Sequence, residues 1–187
     1  MAIQVSDLLD SSLKIGDVFT PIAWGRFAIK EFGLFEYWAN GKTVLDPTMG
    51  NGSLLESFVV EGIERGYKLE DLPLHNLYGC EKNKEYHQSA VRKFKTRYRA
   101  DISENLVLSD FMLFGKQRFD IILGNPPWRN FVDLPENYKE ELKNYYHMYG
   151  LIDNAPSLLL GGSRKDIAAL VINKSIIDCL EENSKAV

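Results

Sequence analysis

The apolar positions of this chain switch repeatedly between a strand-like and a helix-like period, with no internal repeat and no low-complexity stretch. The short runs TVLDP, LYGCE, NLVLSD and FDIILGN are rich in Val, Ile, Leu, Phe and Tyr, are bounded by Gly, Asn, Asp or Pro, and read as strands. Their near-continuous apolarity suits a sheet covered on both faces. Between the first pair of runs, SLLESFVVEGIERG sets Leu54, Leu55, Phe58, Val59 and Ile63 along one helical face. Between the second and third, NKEYHQSAVRKFKTRYR does the same with Tyr86, Ala90, Val91, Phe94 and Tyr98. Strand, helix, strand, helix, strand predicts an α/β fold with right-handed crossovers and a parallel sheet.

Helices are predicted on both sides of this core. TPIAWGRFAIKEFGLFEYW opens with Thr-Pro, an N-cap followed by proline at the first helical position, and its Trp24 and Trp38 are expected to pack inward. Near the other end SRKDIAALVINKSIIDCL is apolar at helical spacing, with Ser163 or the polar residues after it as cap. The intervening WRNFVDLPENYKEELKNYYHMYGLIDNAPSLLLGGS is rich in Gly, Pro, Asn and Tyr and reads as part helix, part mobile loop over a site. The final LEENSKAV reads as a polar tail.

Length and charge narrow the classes. A chain of 187 residues suits one domain. A formal net charge of -4 argues against a surface that grips nucleic acid all over, while leaving room for a local basic patch. The basic run from Lys82 to Arg99 alternates with the apolar positions of a predicted helix and reads as its solvated face, with contact to nucleic-acid phosphates as the alternative. Cys80 and Cys179 lie far apart and the histidines are scattered, so the expectation is free thiols in a reducing compartment and no metal site, with no role for His87 or His147. MAIQVSDLLDSSLK lacks a signal-peptide layout and no apolar run approaches a membrane span, so a cytoplasmic protein is expected.

In an open parallel sheet ligands bind beyond the carboxyl ends of the strands. Those ends carry Asp46, Glu81, Asp110 and Asn125. The loop DPTMGNGS, with Pro47, Gly50 and Gly52, allows a tight turn and close approach of backbone amides to a ligand. Leu55 stands where a dinucleotide fingerprint would place its last glycine, and no P-loop lysine follows, so a ligand without phosphate fits better. Asp46 could hold an ammonium, Glu81 a ribose diol, and Asp110 an exocyclic amine with Phe111 stacking nearby. The plainer alternative is a glycine loop that only turns the chain.

NPPW is the sharper signal. Pro126 and Pro127 stop the ladder and stiffen the backbone, leaving carbonyls not committed to pairing. The Asn125 side-chain oxygen and the Pro126 carbonyl are two acceptors suited to one amino group, and Trp128 offers a flat face for a ring. The alternative is a strand stopped by a turn with a core tryptophan.

The order FTP (Phe19, Thr20, Pro21), DPTMGNG, GCEKN, LSDF, NPPW resembles the amino-group DNA methyltransferases, specifically N6-adenine enzymes whose cofactor motif precedes the catalytic one, over about residues 17 to 180. The resemblance implies S-adenosylmethionine as cofactor and DNA as partner, in a restriction-modification or phage-defence system. By position, Phe19, Thr20, Pro21, Asp46, Pro47, Gly50 and Gly52 would hold its methionine part, Glu81 its ribose, and Asp110 with Phe111 its adenine. Asn125, Pro126, Pro127 and Trp128 would receive a flipped target adenine, beside a helix built from SRKDIAALVINKSI. Similar loops in other enzymes methylate RNA adenine or a protein glutamine amide, and a non-catalytic binding or regulatory subunit could keep the same fold.

The fold implied is α/β, a Rossmann-like methyltransferase sheet with helices on both faces and an N-terminal helical extension. Such sheets have about seven strands, against about four found here. The expectation is therefore a catalytic domain spanning 1–187, truncated at its C-terminus and without a target recognition domain. A second chain or a missing C-terminal region would then cover the apolar edge of the fourth strand.

Overall fold

The computed structural model describes residues 19–152 and 166–187. Its centre is a sheet of the strands β1 (Val44–Asp46), β2 (Leu77–Glu81), β3 (Leu106–Leu108), β4 (Phe119–Ile122) and β5 (Leu180–Ala186), in the order β3-β2-β1-β4-β5. All pairs are parallel. The inner strands send side chains into two cores: Val44, Leu77 and Ile121 on one face, Leu45, Cys80, Phe119 and Ile122 on the other. The sheet is thus covered on both sides, as the continuous apolarity of these strands requires.

The first face is covered by α1 (Ile22–Glu31), α2 (Leu34–Ala39), α3 (Ser53–Glu64) and α4 (Lys84–Arg97). The single helix expected over the N-terminal apolar stretch is two, because Gly33 adopts a left-handed conformation (φ 59) between them. Trp38 is fully buried, but Trp24 is 65% exposed and meets Phe27 edge-on, correcting the expectation that both tryptophans pack inward. Ile63 likewise faces outward, and Gly62 turns to the core against Leu72. Gly25 lets α1 approach α3 closely: a Cβ there would lie 2.3 Å from Ser57 Oγ and 2.9 Å from Ser57 Cβ. Gly25→Ala should therefore lower unfolding stability by about 1–3 kcal/mol in a denaturant titration, despite alanine's better helix propensity.

Buried carboxylates tie these helices together. Glu61 accepts from Arg26 Nε (3.0 Å) and Arg65 Nε (2.7 Å). Glu56 accepts from Arg97 (2.7 Å) and the Tyr98 hydroxyl (2.8 Å), and pairs with Lys93 (2.7 Å). Part of the basic run read as solvated thus anchors α4 to α3. His87 has a partner too, its Nε2 lying 2.7 Å from the Leu106 carbonyl.

The second face is covered by α5 (Glu136–Met148) and α6 (Ile167–Lys174), which runs into a π-helical turn over Ser175–Cys179. Asp166 caps α6 by accepting from Ala168 N–H (2.8 Å); Ser163 and the end of the stretch read as part helix, part loop lie outside the described residues. So does the N-terminal stretch read for a signal peptide. Among the described residues no helix is long and apolar enough to cross a membrane.

The polar tail is the main correction. LEENSKA is β5, and it covers the β4 edge that a second chain or a missing C-terminal region had been expected to cover, so among the described residues the sheet has five strands rather than about four. An edge strand has a neighbour on one side only, so its residues need not be apolar, and charges on it discourage further pairing. The pairing jumps from Phe119↔Leu180 to Ile121↔Lys185, bulging around Asn183 (φ 60). Beyond the bulge Val187 N–H donates to Ile122 O (2.9 Å) and Gly124 N–H to Val187 O (3.2 Å), bracing the backbone up to the residue before Asn125.

Candidate functional site at the strand ends

The strand order reverses at β1, which has β2 on one side and β4 on the other. Residues just past the carboxyl ends at such a reversal border a crevice. Here they are Asp46 from β1 and Asn125 from the loop after β4.

The loop after β1 is pinned on β2. Met49 N–H donates to the Cys80 carbonyl (2.9 Å) and Gly50 N–H to Glu81 Oε2 (2.9 Å). Gly50 (φ 54) is required twice, since a Cβ would also lie 2.9 Å from the Phe19 ring. Gly52 (φ 77) then starts α3 in a left-handed conformation. The second Glu81 oxygen accepts from Asn83 N–H (2.7 Å), while the Asn83 side chain caps α4. Phe19 packs edge-on against Tyr86 at 4.8 Å.

Asp46 is almost fully buried. Its Oδ1 accepts from Thr48 N–H (3.1 Å), and its Oδ2 is buried with no hydrogen-bond partner. Burial, joined by the nearby Glu81 charge and opposed by the Thr48 bond, raises this carboxyl to about 8. A cavity of about 30 Å³ adjoins it, bordered by Phe19, Thr20, Gly50 and Asn125.

Asn125 joins the N-terminal motif to the proline motif. Its Nδ2 donates to Thr20 Oγ1 (3.1 Å), and Trp128 Nε1–H donates to its Oδ1 (3.3 Å). The Trp128 contact fixes which way the amide points, because an indole N–H can only donate and so takes the oxygen, whereas the Thr20 hydroxyl could serve either amide atom. Trp128 is 71% exposed and presents its face to solvent instead of packing in the core. Pro126 is buried and Pro127 half-buried. The backbone after them is held on α6: Arg129 N–H donates to Asp166 Oδ1 (3.1 Å) and Ile167 N–H to the Arg129 carbonyl (2.9 Å).

At the far end of the edge, Asp110 Oδ1 accepts from Met112 N–H (2.9 Å) and Oδ2 from the Tyr138 hydroxyl (2.7 Å). Phe111 is buried and stacks with Phe114 at 5.6 Å. Burial, then the nearby Asp46, Glu81 and Asp110 carboxylates among other charges, push the Cys80 thiol up to about 12, which makes it a poor nucleophile. Among the described residues no group of His, Cys, Asp and Glu is arranged to hold a metal ion.

The motifs Phe19–Pro21, Asp46–Gly52 and Asn125–Trp128 therefore meet at one crevice, with Glu81 behind the glycine loop and Asp110 farther along. Sequence reasoning missed Tyr138 and Asp166. Both act across long separations in the chain, and the only local signal was the aspartate's place before an apolar helix.

The profile of the Eco57I restriction-modification methylases matches residues 55–154, more than half of the chain. The chain belongs to the Eco57I restriction-modification methylase family. It is 29% identical over 130 residues to the modification methylase CviBIII of Paramecium bursaria Chlorella virus NC1A, a match covering 68% of this chain and 29% of that protein. Among solved structures, it resembles a Listeria monocytogenes protein assigned to the class I S-adenosylmethionine-dependent methyltransferases. That likeness has a TM-score of 0.52 and 14% identity, covering 90% of this chain and 45% of the other. It also resembles DrdV, solved as a DNA complex, with a TM-score of 0.55 and 19% identity over 85% of this chain and 19% of that one. These likenesses show a methyltransferase fold, and this Eco57I-family chain spans less than half the length of each of these relatives.

Proposed function

We propose that this chain binds S-adenosylmethionine across the strand ends and carries the catalytic groups for methyl transfer to N6 of a flipped DNA adenine, within a restriction-modification or phage-defence system. The observation that carries this reading is the Asn125 amide, bonded to Thr20 on one side and Trp128 on the other, bordering the same cavity as Asp46 and the glycine loop. A site for an acceptor amine thereby adjoins a site for a small cation.

The residues present fit the cofactor. Asp46 Oδ2 is buried without a partner, and an ammonium would satisfy it and draw the carboxyl back to its charged form. Phe19, Thr20, Pro21, Pro47, Gly50 and Gly52 would enclose the methionine part. Glu81, which already accepts from Gly50 and Asn83 N–H, would also accept from a ribose diol, and Asp110 with Phe111 would take the base. When bound, the cofactor supplies an electrophilic methyl on a sulfonium. Asn125 Oδ1 and the Pro126 carbonyl accept the two N6 hydrogens of the target, localising the lone pair that the purine ring otherwise withdraws. They also hold the proton that the amine must release to solvent once methylated. Trp128 stacks on the flipped base, offsetting the few kcal/mol that unstacking costs. Residues 1–187 on this reading form a catalytic domain, with sequence recognition supplied by groups beyond them or by a second chain.

Labelled methyl transfer to DNA, RNA and peptide substrates tests the reading. Label in DNA supports it, and label confined to RNA or peptide would replace it. Calorimetry gives a separate check on the cofactor: Glu81→Ala should weaken S-adenosylhomocysteine by about 1.5–3 kcal/mol, roughly ten- to a hundredfold. Unchanged affinity would remove Glu81 from the site.

A further inference from the structure

Tyr138, on the first turns of α5, reaches the strand-end edge from the opposite side of the sheet to the glycine loop. Its hydroxyl donates to Asp110 Oδ2 at 2.7 Å, and the Lys82 ammonium lies over its ring, 4.8 Å from the centroid. Lys82 directly follows Glu81 at the end of β2, and Asp110 follows β3, the neighbouring strand. The ring therefore lies between the ends of β2 and β3. A nucleoside held by its ribose at Glu81 and by its base amine at Asp110 has to span that same interval. The cavity at the site reaches from Asp46 to Asn125 but is bordered by neither Glu81 nor Asp110.

We propose that the Tyr138 side chain is a stand-in for the cofactor's base, an aromatic gate on the nucleoside subsite that an adenosyl ligand displaces. This rests on the cofactor reading above. The match is chemical as well as positional. Tyr138 presents a flat ring and one polar hydrogen to Asp110, as adenine would with its exocyclic amine, and a cation covers its face. The half-buried ring closes the subsite to water, and opening it exchanges one charge-assisted hydrogen bond for another. A ligand carrying a base recovers the lost contact; one without a base does not. Tyr138 would thus reduce the apparent affinity of adenosyl ligands by the fraction of time the gate is open, and leave a ligand confined to the Asp46–Asn125 cavity, such as free methionine, untouched.

The test is titration of the full chain with S-adenosylhomocysteine and with 5′-methylthioadenosine, for wild type, Tyr138→Ala, Tyr138→Phe and Glu81→Ala, each first checked for cooperative melting. With the gate open about a tenth of the time, Tyr138→Ala should bind both ligands about tenfold more tightly. Tyr138→Phe, which keeps the ring but loses the bond to Asp110, should tighten them less, and it decides the matter alone if the alanine variant does not fold. Tyr138 variants that bind equally or more weakly, while Glu81→Ala still weakens binding, would make Tyr138 a fixed wall and overturn the gate while leaving the cofactor reading intact. Binding that is absent, or indifferent to Glu81, would overturn both.

Discussion

Asn125→Ala should lower methyl transfer about a hundred- to a thousandfold, the usual loss when one preorganised polar contact to the reacting group is removed. Cofactor affinity should hardly change. The Asn125 oxygen faces Trp128 and the open side of the site, and only its Nδ2 touches a residue assigned to the cofactor, Thr20. The split between rate and binding therefore separates a catalytic role from a structural one. Single-turnover rates with S-adenosylhomocysteine titrations in parallel would show it. A variant that lost affinity and rate together would mean that Asn125 acts by holding the Thr20 segment in place.

Asp46 should make both stability and cofactor binding depend on pH. Its carboxyl is raised from 3.8 to about 8 chiefly by burial, so between those values the folded protein holds a proton that the unfolded chain releases. The resulting stabilisation is complete below about 3.8 and is lost as pH rises through about 8. Across that window wild type should lose on the order of 5 kcal/mol relative to Asp46→Asn, an upper bound for so buried a group. Comparison with this variant removes the opposite slopes of carboxylates held low by partners, such as Glu61 and Asp178. Binding runs the other way. An ammonium needs the ionised carboxylate, so S-adenosylhomocysteine affinity should rise about tenfold per pH unit up to about 8 and then level, with proton release. Calorimetry in buffers of different ionisation heat would detect it. A flat wild-type profile would mean that Asp46 is already ionised or does not meet the ligand.

The site was more legible in the sequence than the edge of the fold. The inner strands announce themselves because burial on both faces demands apolar runs, and Asp46, Glu81, Asp110 and Asn125 stand where those runs stop. β5 gave no such signal. With one neighbour, the bulge around Asn183 and mostly exposed positions, LEENSKA has neither an apolar run nor alternation. Gly33 was visible as a glycine, but only its left-handed conformation turns one apolar stretch into two helices. Trp24 shows the limit of helical periodicity, which marks a residue as apolar without saying whether anything lies against it. The Tyr138 to Asp110 bond spans 28 residues, and no local pattern encodes it.

The most direct measurement is mass analysis of the nucleosides released from duplex DNA after incubation with this chain and S-adenosylmethionine. The account predicts N6-methyladenine as the methylated product, lost with Asn125→Ala. A methylated cytosine, or label passing to RNA or protein while the DNA stays unmodified, would contradict it.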